Sequence, residues 1–138
     1  MKPRPLIDTG VLVGLLDARD EHHEWSRAAV AANRDGFSTC EAVVSELIFR
    51  IQSSARAKSA VLAMIESGWL HVLPVLPQHR VAVARVLEAY HPAADYADAC
   101  LVALHEQAGV PVWTTDRRDF VIYRTRAGKA VKVMLPEV

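Results

Sequence analysis

Pro5-Leu6-Ile7-Asp8-Thr9-Gly10-Val11-Leu12 is a short apolar run that ends in a carboxylate, passes through Thr and Gly, and becomes apolar again at helical spacing. A buried parallel strand looks like this when it delivers one charged side chain to its C-terminal edge and turns into a helix. In open α/β sheets the carboxyl ends of the strands are where ligands bind. An Asp in such a segment is costly unless it is paired, hydrogen-bonded or holding a metal. Asp and Thr are also favoured helix N-caps, so Asp8 alone divides evenly between a cap and a functional acid. Leu6-Ile7-Asp8-Thr9-Gly10 further matches the catalytic turn of an aspartic protease. That enzyme brings two such Asp residues together in an all-β framework. Here helical segments rich in Ala, Leu and Glu follow and strands are few.

The composition narrows the class. At 138 residues the chain is long enough for a proper core and is expected to be a single domain over residues 1–138. A hydrophobic content of 51% leaves little room for disorder. The formal net charge is zero, so the whole molecule is no electrostatic magnet for nucleic acid and any such binding needs a local patch. Cys40 and Cys100, far apart in helix-like stretches, read as small core residues of a reducing cytoplasm. No apolar run approaches transmembrane length and no signal-type segment follows Met1-Lys2-Pro3-Arg4. The expected location is cytoplasmic, with no membrane partner.

Outward from Asp8, Val11, Leu12, Leu15 and Leu16 make a helix face against the sheet. A second helix runs through Trp25, Ala28, Ala29 and Ala32 and closes at Asn33-Arg34-Asp35-Gly36. Phe37-Ser38-Thr39 is a short strand. The helix from about Cys40 to Gln52 carries the stripe Val43, Val44, Leu47, Ile48 and Ile51, with Glu46 at its edge. Another helix follows over 55–66, then a strand over 69–73 stopped by Pro74 and Pro77. In the helix from about Gln78 to Tyr90, Val81, Ala84, Val86 and Leu87 are the expected buried positions. The helix from Asp95 to Gln107 is apolar around nearly its whole circumference and is therefore central. Asp95 suits its N-cap, which leaves Asp98 among apolar neighbours without that explanation. Val110 to Asp116 repeats the opening design, a short strand ending in Thr and Asp, and residues 131–135 read as a final edge strand.

Four acids thus stand out by position: Asp8 and Asp116 at strand ends, Glu46 and Asp98 on core-facing helices. None has a Cys or His partner at metal-ligand spacing, which argues against a soft zinc site. Four carboxylates converging without a cation would raise one another's pKa values. One or two hard divalent cations, Mg²⁺ or Mn²⁺, resolve that conflict. Such ions activate water and stabilise charge on a phosphoryl group.

With Leu6-Ile7-Asp8-Thr9, Val44-Ser45-Glu46-Leu47, Asp95-Tyr96-Ala97-Asp98-Ala99 and Thr114-Thr115-Asp116-Arg117-Arg118-Asp119-Phe120 in this order, the chain resembles the PIN-domain nucleases. It is similar in particular to the VapC-type toxins of type II toxin–antitoxin pairs, over essentially its full length. The resemblance implies an α/β fold, three layers α/β/α around a central parallel sheet, with the first and fourth strands adjacent. It implies a metal-dependent endoribonuclease that hydrolyses RNA phosphodiester bonds, with Asp8, Glu46, Asp98 and Asp116 as catalytic and metal-binding acids. Mg²⁺ is the implied cofactor, with Mn²⁺ as substitute. Thr114 supports the cluster by hydrogen bonding, and Asp95 and Asp119 are supporting candidates. Arg117 and Arg118 are candidates for RNA phosphates, while Arg124, Arg126, Lys129 and Lys132 read equally well as a solvated face. Implied partners are an RNA substrate, a small antitoxin near Leu12, Leu15, Leu16 and Trp25, and a second copy of the chain.

Two rivals remain at this stage. A Mg²⁺-dependent phosphatase on a similar sheet normally has a second Asp two residues after the first, where this chain has Gly10. A non-catalytic module could keep the fold for protein binding, against which the retained acids argue.

Overall fold

Leu6–Ile7 forms strand β1, completely buried, at the centre of a five-stranded sheet. The structure is a computed structural model and describes residues 3–137. The other strands are β2 (Phe37–Cys40), β3 (Leu70–Leu73), β4 (Val112–Trp113) and β5 (Val133–Met134), in the order β3-β2-β1-β4-β5. Every pairing is parallel. The chain starts in the middle, steps outward through β2 and β3, then returns across the sheet to β4 and β5. The direction of winding therefore reverses between β1 and β4, the place where an open α/β sheet leaves a crevice beyond its strand ends.

The connections are helical, as parallel strands require: α1 (Thr9–Leu16), α2 (His23–Ala32), α3 (Glu41–Arg50), α4 (Ala55–Glu66), α5 (Leu76–Ala89), α6 (Tyr96–Ala108) and α7 (Arg117–Phe120). Together they complete the α/β/α sandwich. Among the described residues no helix is long and apolar enough to cross a membrane. Ala97 through His105 of α6 are buried without a break, which is why that helix has no polar stripe. Leu6, Ile7, Leu12, Leu47, Leu70 and Leu101 are buried to within 1%, and each such side chain contributes ~1.5–3 kcal/mol.

The sequence periodicity misplaces three positions. Val81, expected inside, is 76% exposed and Val83 points inward in its place, while Val86 is buried as expected. The backbone at His79 is non-helical, so the kink resets the phase of α5 just before Val81. In α2, Ser26 and Ala29 are buried while Ala28 and Ala32 are exposed. A Cβ on Gly14 would lie 2.5 Å from Ser26 Oγ, so α1 and α2 approach too closely for anything larger than this Gly–Ser pair. Cys40 both ends β2 and caps the start of α3; it meets Cys100 of α6, and both thiols are buried and unbridged.

Candidate functional site

β1 and β4 pair in the register Leu6↔Val112 and Ile7↔Trp113, and Asp8 N–H donates to the Trp113 carbonyl at 2.9 Å. Asp8 and Thr114 are the next residues on their strands, so the pairing delivers them side by side. Asp8 is both of the things its sequence context allowed. Its Oδ1 accepts from Thr9 N–H at 2.8 Å and caps α1, while its Oδ2 accepts from the Thr114 hydroxyl at 2.8 Å. Thr114 is fully buried, and its Oγ1 also accepts from Asp116 N–H at 3.0 Å. One hydroxyl thus ties Asp8 to the loop that carries Asp116. Asp116 in turn accepts from the Arg118 and Asp119 backbone N–H groups at 3.1 and 3.0 Å and caps α7.

Glu46 comes from α3 and is exposed, yet it closes on the same corner: Thr9 Oγ1 donates to its Oε2 at 3.1 Å. Asp98 enters from α6 and is only 4% exposed. Its backbone N–H donates to the capping Asp95 side chain at 2.8 Å, and its Oδ2 accepts from Tyr123 Oη at 2.6 Å. Tyr123 is fully buried, its ring edge-on to those of Phe120 and Tyr90. One oxygen of Asp98 is therefore held, and its carboxylate orientation is set by packing rather than by solvent.

Burial is the main force on these acids. It pushes Asp8 up to about 6, against hydrogen bonds from Thr114 and Thr9 that lower it, with Glu46 and Asp116 raising it further. Asp98 is pushed up to about 8, again first by burial, opposed by the Tyr123 hydrogen bond and reinforced by Asp8, Asp95 and Asp116. Asp119 is raised by burial and by Asp116. Among the described residues no Lys, Arg or His lies within ion-pair distance of Asp8, Glu46, Asp98, Asp116 or Asp119.

The donor set suits a hard cation, since it consists wholly of carboxylate oxygens. One carboxylate oxygen from each of Asp98, Asp116 and Asp119 lies within 4.8 Å of the other two. Asp8 and Glu46 stand outside that trio, and Glu46 is close enough to Asp8 to help raise the Asp8 proton affinity. Of the supporting candidates, Thr114 bonds to Asp8, Asp119 is a full member of the trio, and Asp95 is occupied as the α6 cap.

Two participants were not anticipated. Tyr123 lies in a stretch with no period to flag it, and Thr9 hides its link to Glu46 behind an ordinary first-turn position. Arg117 and Arg118 are exposed beyond the cluster, and the Arg117 guanidinium donates to the Pro136 carbonyl. Arg124 likewise donates to the Val121 and Tyr123 carbonyls. Gly10 is packed rather than free: a Cβ there would lie 2.2 Å from Thr115 Oγ1. No second acid fits at the position a phosphatase would need.

The PIN domain family profile matches residues 6–126. No curated protein sequence matches the chain. Among solved structures, VapC20 of Mycobacterium tuberculosis, described as a Sarcin-Ricin loop cleaving toxin, superposes with a TM-score of 0.68 at 19% identity, over 78% of this chain and 85% of that one. VapBC2 from Rickettsia felis, bound to a DNA fragment from its promoter, gives 0.63 at 11% identity over 96% and 98%. FitAcB from Neisseria gonorrhoeae gives 0.58 at 18% identity over 94% and 95%. At these identities the likeness is one of fold.

Proposed function

The chain belongs to the PIN domain family, and on that premise we propose that it is a divalent-cation-dependent endoribonuclease, the toxin of a toxin–antitoxin pair. The observation that carries this reading is the group of acids at the β1/β4 strand ends, two of them almost wholly buried, with no cationic side chain among the described residues to balance them. Buried carboxylates in that state are costly unless something binds them. Asp8, Glu46, Asp98 and Asp116 are the proposed ligands of Mg²⁺ or Mn²⁺, and the Asp119 carboxylate supplements them. A cation bound there supplies an activated water and neutralises charge that develops on the phosphoryl group. The chain's own contribution is placement: Thr114 holds Asp8, Tyr123 holds Asp98, and the exposed Arg118 is the available partner for an RNA phosphate.

RNA as substrate is supported by the family and by the toxin activity described for VapC20. An antitoxin partner is proposed on the same footing, with VapBC2 among the structural neighbours. Of the residues expected near the antitoxin, Leu12 is fully buried, while Leu15, Leu16 and Trp25 are half-buried. The open surface beside Trp25 lies toward Trp113, Met134 and Leu135, with Trp25 packed on Trp113 at 5.6 Å between ring centroids. A homodimer and a cytoplasmic location belong to the same proposal. The single domain expected over residues 1–138 is retained as part of it.

Purified protein, freed of any partner, should cut unstructured RNA in Mg²⁺ or Mn²⁺ and stop in EDTA. Failure of both ions across a pool of RNA sequences would leave the protein-binding module as the better account. The Tyr123→Phe protein keeps the ring packing but loses the donor to Asp98. Ligand-orienting partners of this kind typically change metal affinity by ~10–100-fold. We expect half-saturation by Mn²⁺, read from the thermal shift, to move upward by about 10-fold. An unchanged titration would mean that the Tyr123 hydroxyl does not serve the site.

A further inference from the structure

Beside the acid cluster, and sharing Glu46 with it, is a cavity of about 650 Å³. That volume lies within the ~300–1,000 Å³ of small-molecule sites. We propose that it is the base-binding subsite of the RNA strand, and that it selects guanine next to the scissile phosphate. The inference rests on the nuclease reading and deepens it.

The cavity has the two parts a nucleobase needs. Leu73, Val75 and Ala97 give it apolar walls, and the Tyr96 ring, 45% exposed, offers a stacking face. An aromatic platform of this kind holds a base whatever its identity. Identity comes from the polar rim, which is dominated by the carboxylates of Glu41, Glu46 and Asp95 beside the Ser45 hydroxyl, with no Lys, Arg or His in the lining. Glu46 is engaged by Thr9, and Asp95 caps α6. The Glu41 carboxylate, at the first position of α3, has no hydrogen bond or ion pair among the described residues. It is the group free to read a base.

A carboxylate presents two acceptors side by side. On its Watson–Crick edge guanine presents two adjacent donors, N1–H and the N2 amino group, which match that spacing. Adenine and cytosine set an acceptor nitrogen beside their single amino donor, and uracil flanks its N3–H with two carbonyls. Each would turn an acceptor toward a carboxylate oxygen. Single-stranded RNA leaves this edge open for such reading. Because Glu46 is the wall common to cavity and cluster, a base seated in the cavity puts its own phosphate beside the acids.

Two measurements on the full chain test this separately from the nuclease reading. In the first, the four nucleosides are offered at millimolar concentration and binding is read by saturation-transfer NMR, without metal or cleavage. Guanosine should bind best, and Glu41→Gln and Tyr96→Ala should each weaken it by about 10-fold, the range expected for one bidentate pair or one stacked base. In the second, the cut ends from a randomised RNA pool are sequenced. Guanine should be enriched at one position flanking the cut, with the enrichment reduced about 10-fold in Glu41→Gln. Guanosine binding without any metal-dependent cutting would support the subsite and overturn the nuclease reading. Cutting with no base preference, or guanosine binding indifferent to both substitutions, would overturn the subsite. An apolar peptide displacing guanosine from a cavity that shows no nucleoside selectivity would assign it to a protein partner instead.

Discussion

Asp98→Asn is expected to lower RNA cleavage by at least ~100-fold while raising the melting temperature of the metal-free protein at neutral and alkaline pH. The two effects have one origin. Asp98 is 4% exposed and its proton affinity is pushed up to about 8, chiefly by burial. An amide of the same shape removes the cost of charging that site and still accepts from Tyr123. It also removes a ligand from the proposed cation. Losing ~3 kcal/mol of the several that a metal supplies to the transition state gives the ~100-fold figure. Below about pH 4 the carboxyl is protonated in folded and unfolded chain alike, and the stability difference should vanish. If the acids act as one unit, Asp98→Asn combined with Asp116→Asn should cut no more slowly than either alone. Asp95→Asn should be mild, since Asn caps a helix as well as Asp does. Normal cleavage by the Asp98→Asn protein, or a multiplicative loss in the double variant, would remove Asp98 from the site.

The second large effect is a stability that depends on pH and metal together. Asp8 and Asp98 both have folded-state pKa values raised above the unfolded ones, to about 6 and about 8. Between about pH 4 and pH 8 the metal-free folded chain therefore binds more protons than the unfolded chain, and stability falls as pH rises through that window. Asp8 alone accounts for ~3 kcal/mol of the fall, enough to lower the melting temperature by roughly 10 °C, and Asp98 adds to it in the same direction. A divalent cation requires the ionised carboxylates, so its binding reverses the penalty where they are charged. The shift produced by Mg²⁺ or Mn²⁺ should be large at pH 8 and small at pH 5. Calorimetry across this range, in EDTA and in millimolar metal, measures it directly. Equal metal shifts at both pH values, or an undiminished shift in Asp8→Asn, would be incompatible with the site.

How much of this was legible in the sequence depended on the range of the interactions. β1 and the stretch of α6 from Ala97 to His105 were readable because their residues are buried on every side, and complete burial writes a continuous apolar run. The four acids stood out for the same reason, as charges set against that background. The phase of α5 was not readable, because it hinges on a backbone kink at His79 that no side-chain pattern records. Tyr123 was invisible from the other direction. It follows Val121 and Ile122, both apolar yet exposed, and precedes the polar Arg124, Thr125 and Arg126, so nothing local says that this aromatic is buried or reaches back 25 residues to a carboxylate. Asp119 was legible only as a supporting candidate, because its closeness to Asp98 and Asp116 exists only after folding.

The hydrogen bond from Thr114 to Asp8 spans 106 residues, and Tyr123 and Asp119 enter later still. Closing a loop of that length has an entropic cost, which the β1/β4 pairing helps to offset. A ribosome makes the N-terminal part first, at ~5–20 residues per second. A nascent chain that has reached α6 already holds Asp8, Glu46 and Asp98 in sequence, but β4, Thr114, Asp116 and Tyr123 have still to be made. The acids have no common seat until the fourth strand docks. On the nuclease reading proposed above, the nascent chain is therefore expected to be inactive until β4 has been made, and a chain truncated before Val112 is expected to cut no RNA.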